Sequence, residues 1–155
     1  GGRDDVKMVP SARLMKRDFI KLGSVDTPAP DKSVSKTMSV GSDVIEGDVL
    51  VSVLVTKPDD DGESYVEVKV MMKNATDQFI EEAQVKAQLI DEEDAQIDDS
   101  YCEENIPANG YGMFETSFYG LKKSKLRDTT VKIGLYIYSD VVSGSAEKVS
   151  EPDND

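Results

Sequence analysis

Apolar and polar residues alternate along this chain from residue 43 onward. The alternation is clearest in residues 43–56, 64–74, 83–91 and 129–140. A period of two is typical of a strand that buries one face and exposes the other. The residues predicted to point inward are Val49, Val51, Val53, Val55, Val66, Val68, Val70, Met72, Val85, Ala87, Leu89, Val131, Ile133, Leu135 and Ile137.

Two weaker segments complete the set of predicted strands. One lies around Ile97 and residues 100–103, and the other covers residues 111–120, with Phe114 and Phe118 predicted to point inward. Residues 81–90 contain Ala, Gln, Glu and Lys, which favour a helix. The strict alternation and the strands on either side favour a strand there instead.

The predicted fold is all-β, an antiparallel β-sandwich of about seven strands, because short strands follow one another without a long helix. A closed barrel of the same strands is the alternative. Residues 1–42 are interpreted as an N-terminal arm or linker that could add an edge strand. Residues 43–140 form the sandwich, and residues 141–155 form a flexible acidic tail.

The charge of the chain disfavours two classes of partner. The 155 residues include 31 acidic and 18 basic side chains, a formal charge of −13. Such a charge repels phosphate backbones and anionic lipids, and no apolar run is long enough to span a membrane. Only residues 122–127 are locally basic, and they are interpreted as a solvated turn. We therefore expect no nucleic-acid partner and no membrane insertion of this chain.

The chain has no histidine and a single cysteine, Cys102. Zinc sites of the usual Cys/His kind, histidine-based catalytic triads and an internal disulfide are thereby excluded. Because Glu103 and Glu104 should raise the pKa of the thiol, Cys102 is interpreted as a strand residue and not as a nucleophile. The sequence predicts no catalytic residue, no cofactor and no enzyme.

Carboxylates crowd two predicted hairpin tips, at residues 59–63 and 91–99. Calcium prefers oxygen ligands, but neither tip has the spacing of an EF-hand loop. Asp is also a natural turn former, so solvated tips are the favoured interpretation. The candidate calcium ligands, should the two tips meet at one end of the sandwich, are Asp59, Asp60, Asp61, Asp91, Glu93 and Asp94.

Tyrosines supply the candidate partner surface. If the last strand buries its aliphatic residues, Tyr136 and Tyr138 face outward, and Tyr111 and Tyr119 could lie nearby across the sheet. Exposed tyrosines suit a protein–protein contact; the alternative is that the rings pack beneath the N-terminal arm. Asn74 begins an Asn-Ala-Thr sequon, which is a glycosylation site in a secreted eukaryotic protein and otherwise a turn.

Five residues at strand ends and turns within residues 65–139 form a recognisable pattern: Asn74, Asp91, Pro107, Gly110 and Phe114. Through them this segment resembles small bacterial immunoglobulin-like modules of the FxLYD kind, which occur mostly on envelope or secreted proteins. The resemblance implies an antiparallel immunoglobulin-like β-sandwich of about seven strands. The naming motif is absent at residues 118–121, and Asp94-Ala95 stands where a glycine is expected.

The sequence therefore predicts a non-enzymatic binding or scaffolding module of an extracytoplasmic or cell-surface bacterial protein. It would recognise a protein partner through a sheet face or a strand edge. The first alternative is a calcium-stabilised adhesin-like domain that uses its acidic hairpin tips. The second alternative is a carboxylate-based hydrolase.

Overall fold

The computed structural model describes residues 17–138, which fold almost entirely into β-strands. This part of the chain contains eight strands and one short helix. The strands are β1 (Arg17–Asp26), β2 (Lys32–Met38), β3 (Ile45–Val55), β4 (Glu63–Asn74), β5 (Ile80–Ile90), β6 (Gln96–Ile106), β7 (Tyr111–Lys122) and β8 (Thr130–Tyr138), and the helix is α1 (Lys123–Leu126). The predicted acidic tail, residues 141–155, lies outside the described residues.

The strands form two antiparallel sheets of four. Sheet one has the order β1-β8-β5-β6, and sheet two has the order β2-β3-β4-β7. Neither sheet closes on itself, so the structure is that of a β-sandwich and not of the alternative barrel. Edge strands β6 and β7 approach each other where the hydroxyl groups of Ser100 and Thr116 form a hydrogen bond.

The core lies between the two sheets and follows the alternation in the sequence. Each of the fifteen aliphatic residues predicted to point inward is at most 2% exposed, and Phe114 and Phe118 are each 1% exposed. Residues 80–90 form strand β5, so the helical alternative for this segment is wrong. Burying apolar surface on both sheets is the main favourable contribution to a fold of this kind.

The N-terminal segment contributes two strands that the alternation did not reveal, which makes eight strands in residues 17–138 where about seven were predicted. Strand β1 pairs with β8 at one edge of sheet one, and β2 pairs with β3 at one edge of sheet two. Residues 26–36, predicted to be a linker or extended arm, include the first half of β2. In β2 only Met38 is buried, so this strand has no inward-facing period for the sequence to display.

The strand registers place the loops at two ends of the sandwich. The loops at residues 56–62 and 91–95 lie at one end, together with residues 27–31 and helix α1; we call this the acidic end. The loops at residues 39–44, 75–79 and 107–110 lie at the other end, which we call the Asn74 end.

Candidate functional site

The first acidic loop, residues 59–63, is closed by its own first residue. The Asp59 carboxylate oxygen Oδ1 accepts hydrogen bonds from the backbone amides of Asp61 and Glu63, each at 2.9 Å. The Asp59 amide donates to the Glu63 carbonyl at 2.9 Å. Gly62 has a φ of +75°, the left-handed conformation that glycine adopts without a steric penalty.

The second acidic loop, residues 91–95, repeats this geometry. Asp91 Oδ1 accepts hydrogen bonds from the amides of Glu93 and Ala95, each at 2.9 Å, and the Asp91 amide donates to the Ala95 carbonyl at 2.9 Å. Asp94 occupies the left-handed position with a φ of +66°. Aspartate tolerates this conformation better than most residues. This explains how the loop closes without the glycine that the sequence comparison leads one to expect.

The two acidic tips lie at the same end of the sandwich but in different sheets, and each has a lysine beside it. Lys122 Nζ donates to the Asp61 carbonyl at 3.2 Å, and Lys132 Nζ lies 3.0 Å from Asp94 Oδ1. Within residues 17–138, no group of three or more His, Cys, Asp or Glu side chains is arranged to hold a metal ion. The structure thus does not bring together the six calcium candidates, Asp59, Asp60, Asp61, Asp91, Glu93 and Asp94.

At the opposite end, the side chain of Asn74 is fully buried and forms the centre of a hydrogen-bond network. Its Nδ2 donates to the carbonyls of Gln78, Ile106 and Pro107 at 2.7, 3.3 and 3.2 Å. Its Oδ1 accepts from the Thr76 amide at 2.9 Å and from the Thr76 hydroxyl at 2.7 Å. Every donor and acceptor of this buried amide is therefore satisfied, as a buried polar group requires.

The backbone around Asn74 extends the same network to neighbouring segments. The Asn74 amide donates to the Gly110 carbonyl at 2.8 Å, and the Ala75 amide donates to the Val44 carbonyl at 2.7 Å. Asn74 thus joins the β4–β5 loop to the β6–β7 loop. A glycan needs a free amide nitrogen, so the folded domain presents no accessible acceptor at this sequon.

The four candidate tyrosines divide between the two sheets. Tyr136 and Tyr138 lie on β8 in sheet one and are half-buried, whereas Tyr111 and Tyr119 lie on β7 in sheet two and are exposed. The expectation that the four lie near one another across a single sheet is wrong, because β7 pairs with β4 and not with β8. Tyr136 packs against the ring of Phe19, with the ring centroids 4.8 Å apart.

Most of the large exposed apolar side chains lie on the outer surface of sheet two, which we call the apolar face. Strand pairing aligns Leu50, Met71 and Met113 in one row across β3, β4 and β7. A second row contains Tyr65 and Tyr119, whose ring centroids are 5.4 Å apart. The exposed fractions on this face are 37% for Leu50, 39% for Leu54, 41% for Tyr65, 63% for Tyr111, 50% for Met113 and 69% for Tyr119.

A shallow polar groove separates the two rows of the apolar face. Its volume is ≈ 220 Å³, and its lining includes Ser35, Ser52, Glu67 and Lys69. Next to the row of Leu50, Met71 and Met113, Lys73 Nζ lies 5.8 Å from the centroid of the Tyr111 ring. Apolar and aromatic rows around a polar centre present both contact area and hydrogen-bonding groups, which is the composition that protein interfaces use.

Sequence reasoning placed Tyr111 and Tyr119 correctly on the solvent side but missed the rest of the apolar face. The signal for Leu50 and Leu54 was present, because they occupy the outward phase of a strand whose inward phase is all valine. Large apolar residues in both phases of a strand indicate that neither face is simply solvated.

Cys102 is partly exposed on edge strand β6. Desolvation by burial is the largest cause that raises the pKa of its thiol. A hydrogen bond to the Glu104 side chain and the negative charges of Glu104 and Glu115 raise this pKa further. A hydrogen bond to the Glu115 backbone opposes the shift. The raised pKa agrees with the effect predicted for acidic neighbours, although Glu115, from β7, replaces Glu103 among its causes. A thiol with a raised pKa is a poor nucleophile.

The basic residues 122–127 include helix α1, in which Leu126 is buried while Lys123 and Lys125 are exposed. This is the solvated helical turn that the sequence predicts. No helix within residues 17–138 has the length and apolar character to cross a membrane.

Comparisons with known proteins include a distant structural likeness. No protein-family model and no curated protein matches the chain. A solved structure, the enzymatically active domain of tailspike protein 4 of bacteriophage CBA120, is similar with a TM-score of 0.29 and 10% sequence identity. The match covers 83% of this chain and 18% of the tailspike chain, so this chain corresponds to less than a fifth of that protein.

This comparison corrects the prediction that the chain is not an enzyme. The neighbouring structure is an enzymatically active domain, and a non-enzymatic role is therefore not carried further. At a TM-score of 0.29, the likeness assigns neither a fold nor an activity to this chain.

Proposed function

We propose that this chain is a protein-binding module that recognises its partner through the apolar face of sheet two. The observation that carries this proposal is the clustering of exposed apolar residues. Of the ten large hydrophobic residues that are exposed in residues 17–138, six lie on this face. Single exposed apolar side chains are normal on any protein, but several gathered on one face mark an interaction surface.

The composition of the face supports a protein partner. Tyrosine and methionine are enriched at protein interfaces, where aromatic rings give large contact areas at a small entropic cost. Tyr119, Tyr111 and Met113 all come from β7, an edge strand whose side chains project from a rigid sheet. A partner that packs on β7 would therefore meet an ordered surface.

We also propose that the sandwich is immunoglobulin-like. Support comes from the strand order, in which β3-β4-β7 corresponds to strands A-B-E and β1-β8-β5-β6 corresponds to strands G-F-C-C′. In this correspondence β1 occupies the position of the last strand. Three residues of the FxLYD resemblance also act together, since Asn74 bonds to the carbonyls of both Pro107 and Gly110.

The same resemblance supports an extracytoplasmic or cell-surface bacterial protein as the setting of this module. A reporter that folds only outside the cytoplasm, fused to the native full-length gene product, tests this placement. An inactive reporter in this fusion, together with an active cytoplasmic reporter fused at the same position, would contradict it.

The partner surface is tested by photo-cross-linking in cells of the source organism. A photoreactive amino acid replaces Tyr119 on the apolar face, and in a matched control it replaces Tyr101, which is 64% exposed on strand β6 of sheet one. We expect a discrete protein adduct from position 119 and none from position 101. Equal adducts from both positions, or adducts from position 101 alone, would overturn the proposal.

Once the adduct identifies the partner, its affinity can be measured with purified components. Met113→Ser and Tyr119→Ser should each weaken binding by about tenfold or more, the effect of removing an interface anchor. Tyr101→Ser removes a similar exposed ring from the other sheet and should leave the affinity unchanged.

A further inference from the structure

The outer surface of sheet one holds a groove of ≈ 290 Å³ that differs in chemistry from the apolar face. Three lysines, one from each of β1, β5 and β8, surround it: Lys21, Lys86 and Lys132. The ring of Phe19 and the side chain of Tyr136 form one wall, and Gln88 lies beside the lysines.

Gly134 lets the Phe19 ring lie directly against the backbone of β8. A Cβ atom at this position would lie 2.4 Å from Cε1 of Phe19, so a side chain here would displace the ring. Phe19 in turn packs on Tyr136, with the ring centroids 4.8 Å apart. The Phe19 ring therefore covers Gly134, and the wall of the groove is a pair of rings that pack on each other.

The groove is locally basic in a chain whose formal charge is −13. Lys132 pairs with Asp94 at 3.0 Å, and Lys86 pairs with Asp99 at 3.7 Å. All four side chains are at least 38% exposed, and exposed pairs of this kind contribute little free energy. Both lysines can therefore turn to a ligand at small cost. Lys21 is exposed as well.

We propose that this groove binds an acidic sugar, that is, a hexose ring that carries a carboxylate. The ammonium groups supply charge-assisted hydrogen bonds to the carboxylate. The apolar face of the ring packs on Phe19, whose exposed fraction of 55% leaves the aromatic surface available. The Gln88 amide donates to Gln96 Oε1 at 2.7 Å, which orients its carbonyl oxygen as an acceptor for a sugar hydroxyl. The volume suits one sugar unit, with room for a chain to leave the open groove.

The proposal is tested by NMR titration of the ¹⁵N-labelled chain with D-glucuronate and with tri-galacturonate. D-glucose, hexaglutamate and sodium sulfate are the comparison probes. We expect saturable shifts of the Lys21, Lys86 and Gly134 amides with the two uronates, and weaker binding as the salt concentration rises. Equal binding of glucose, binding of hexaglutamate or sulfate without the uronates, or the absence of saturable shifts would each overturn the proposal.

Matched variants separate the site from general surface charge. Lys21→Gln and Phe19→Ser should each weaken uronate binding by about tenfold, the usual effect of losing one charge-assisted hydrogen bond or one packed ring. Lys69→Gln, on the apolar face, and Phe79→Ser, with a ring 51% exposed, should leave binding unchanged. Since every variant changes an exposed residue, unchanged melting temperatures will show that the domain remains folded.

This site is independent of the protein-binding face on sheet two. Loss of uronate binding in the sheet-one variants leaves the photo-cross-linking result untouched, and the converse also holds. Equal loss of uronate binding in the Lys69→Gln control would indicate a diffuse charge effect and overturn the assignment to this groove.

Discussion

At the acidic end of the sandwich, each charged loop is closed by the aspartate that begins it. At the Asn74 end, one uncharged side chain joins segments that lie more than thirty residues apart, since Asn74 reaches Ile106 and Pro107. The acidic loops are solvated, whereas Asn74 is fully buried. The two ends thus achieve the same result, ordered loops, by local and by non-local hydrogen bonds.

The difference shows that a conspicuous cluster of charges and a structurally important residue need not coincide. An Asp-capped turn is held by hydrogen bonds within its own five residues, so its contribution to stability is confined to that loop. A buried amide that donates to several carbonyls is different, because its removal takes a buried hydrogen-bond partner from distant segments at once. Four experiments test this contrast.

The largest effect is expected for Asn74→Ala. The substitution removes the buried amide that donates to the carbonyls of Gln78, Ile106 and Pro107. It also removes the acceptor of the Thr76 amide and hydroxyl, and we expect a loss of about 3 kcal/mol in the free energy of unfolding. Urea denaturation measures this loss. The matched control is Asn105→Ala. Asn105 Oδ1 also accepts a backbone hydrogen bond, from the Glu82 amide at 3.0 Å, but in an exposed position. This control substitution should cost less than about 1 kcal/mol in the free energy of unfolding. Similar losses for the two variants would contradict the role of Asn74.

Intermediate effects are expected for Asp59→Ala and Asp91→Ala. Each removes an oxygen that caps two backbone amides, and we expect a loss of about 1 kcal/mol in each case, as for the loss of a helix cap. Asp59→Asn and Asp91→Asn keep the capping oxygen and should restore most of the stability. Asp60→Ala, in the same loop, is the control and should be near neutral. Near-neutral Asp59→Ala and Asp91→Ala variants would show that the loops do not depend on their first residue.

Changes of opposite sign in the free energy of unfolding are expected for substitutions at the left-handed positions of the two loops. Gly62→Ala forces a Cβ into a φ of +75° and should cost about 1 kcal/mol, whereas Asp94→Gly relieves strain and should gain up to about 0.5 kcal/mol. The gain is reduced by the loss of the exposed ion pair with Lys132, which contributes little. Thermal unfolding of both variants measures the two signs. A loss for Asp94→Gly as large as that for Gly62→Ala would mean that Asp94 is more than a turn residue.

The smallest effect is expected from calcium. Because the two acidic tips lie in separate sheets and are accompanied by Lys122 and Lys132, neither calcium nor a chelator should shift the melting temperature. A bound cation at a hundred times its dissociation constant would add about 2.7 kcal/mol and would shift the melting temperature by several degrees. Such a shift, abolished in Asp61→Asn or Glu93→Gln, would revive the calcium alternative.

The strands that sequence reasoning located best are those with a regular inward phase. In β8, Val131, Ile133, Leu135 and Ile137 alternate without a break, and all four are buried. Strand β2 was largely missed because Lys32, Val34 and Lys36, which share a side with the buried valines of β3, stay exposed. Only Met38 enters the core. Local patterns reveal a strand only when burial imposes a period on it.

Pairing between distant strands was also invisible in the sequence. Outward-facing tyrosines could be predicted on β7 and β8 separately, but whether these strands share a sheet depends on long-range register. Tyr111 opposes Lys73 of β4, and Tyr136 opposes Phe19 of β1 and Gln84 of β5. The groove on the outer surface of sheet one, the lysine groove, was missed for the same reason. Its lysines, Lys21, Lys86 and Lys132, come from three strands that only the folded sheet places side by side.

The pairing of β1 with β8 has a mechanical consequence. Arg17 lies opposite Tyr138, so the first and last described residues are neighbours at the Asn74 end of sheet one. A pulling force applied between these two residues would act across the β1–β8 ladder, perpendicular to the strands. The hydrogen-bonded pairs would then break one after another, beginning at this end of the ladder. They would not resist the force together, as they do when two strands are sheared along their length. A module tethered through these two residues would yield to tension first at β1 and would release the wall of the lysine groove, Phe19, with it.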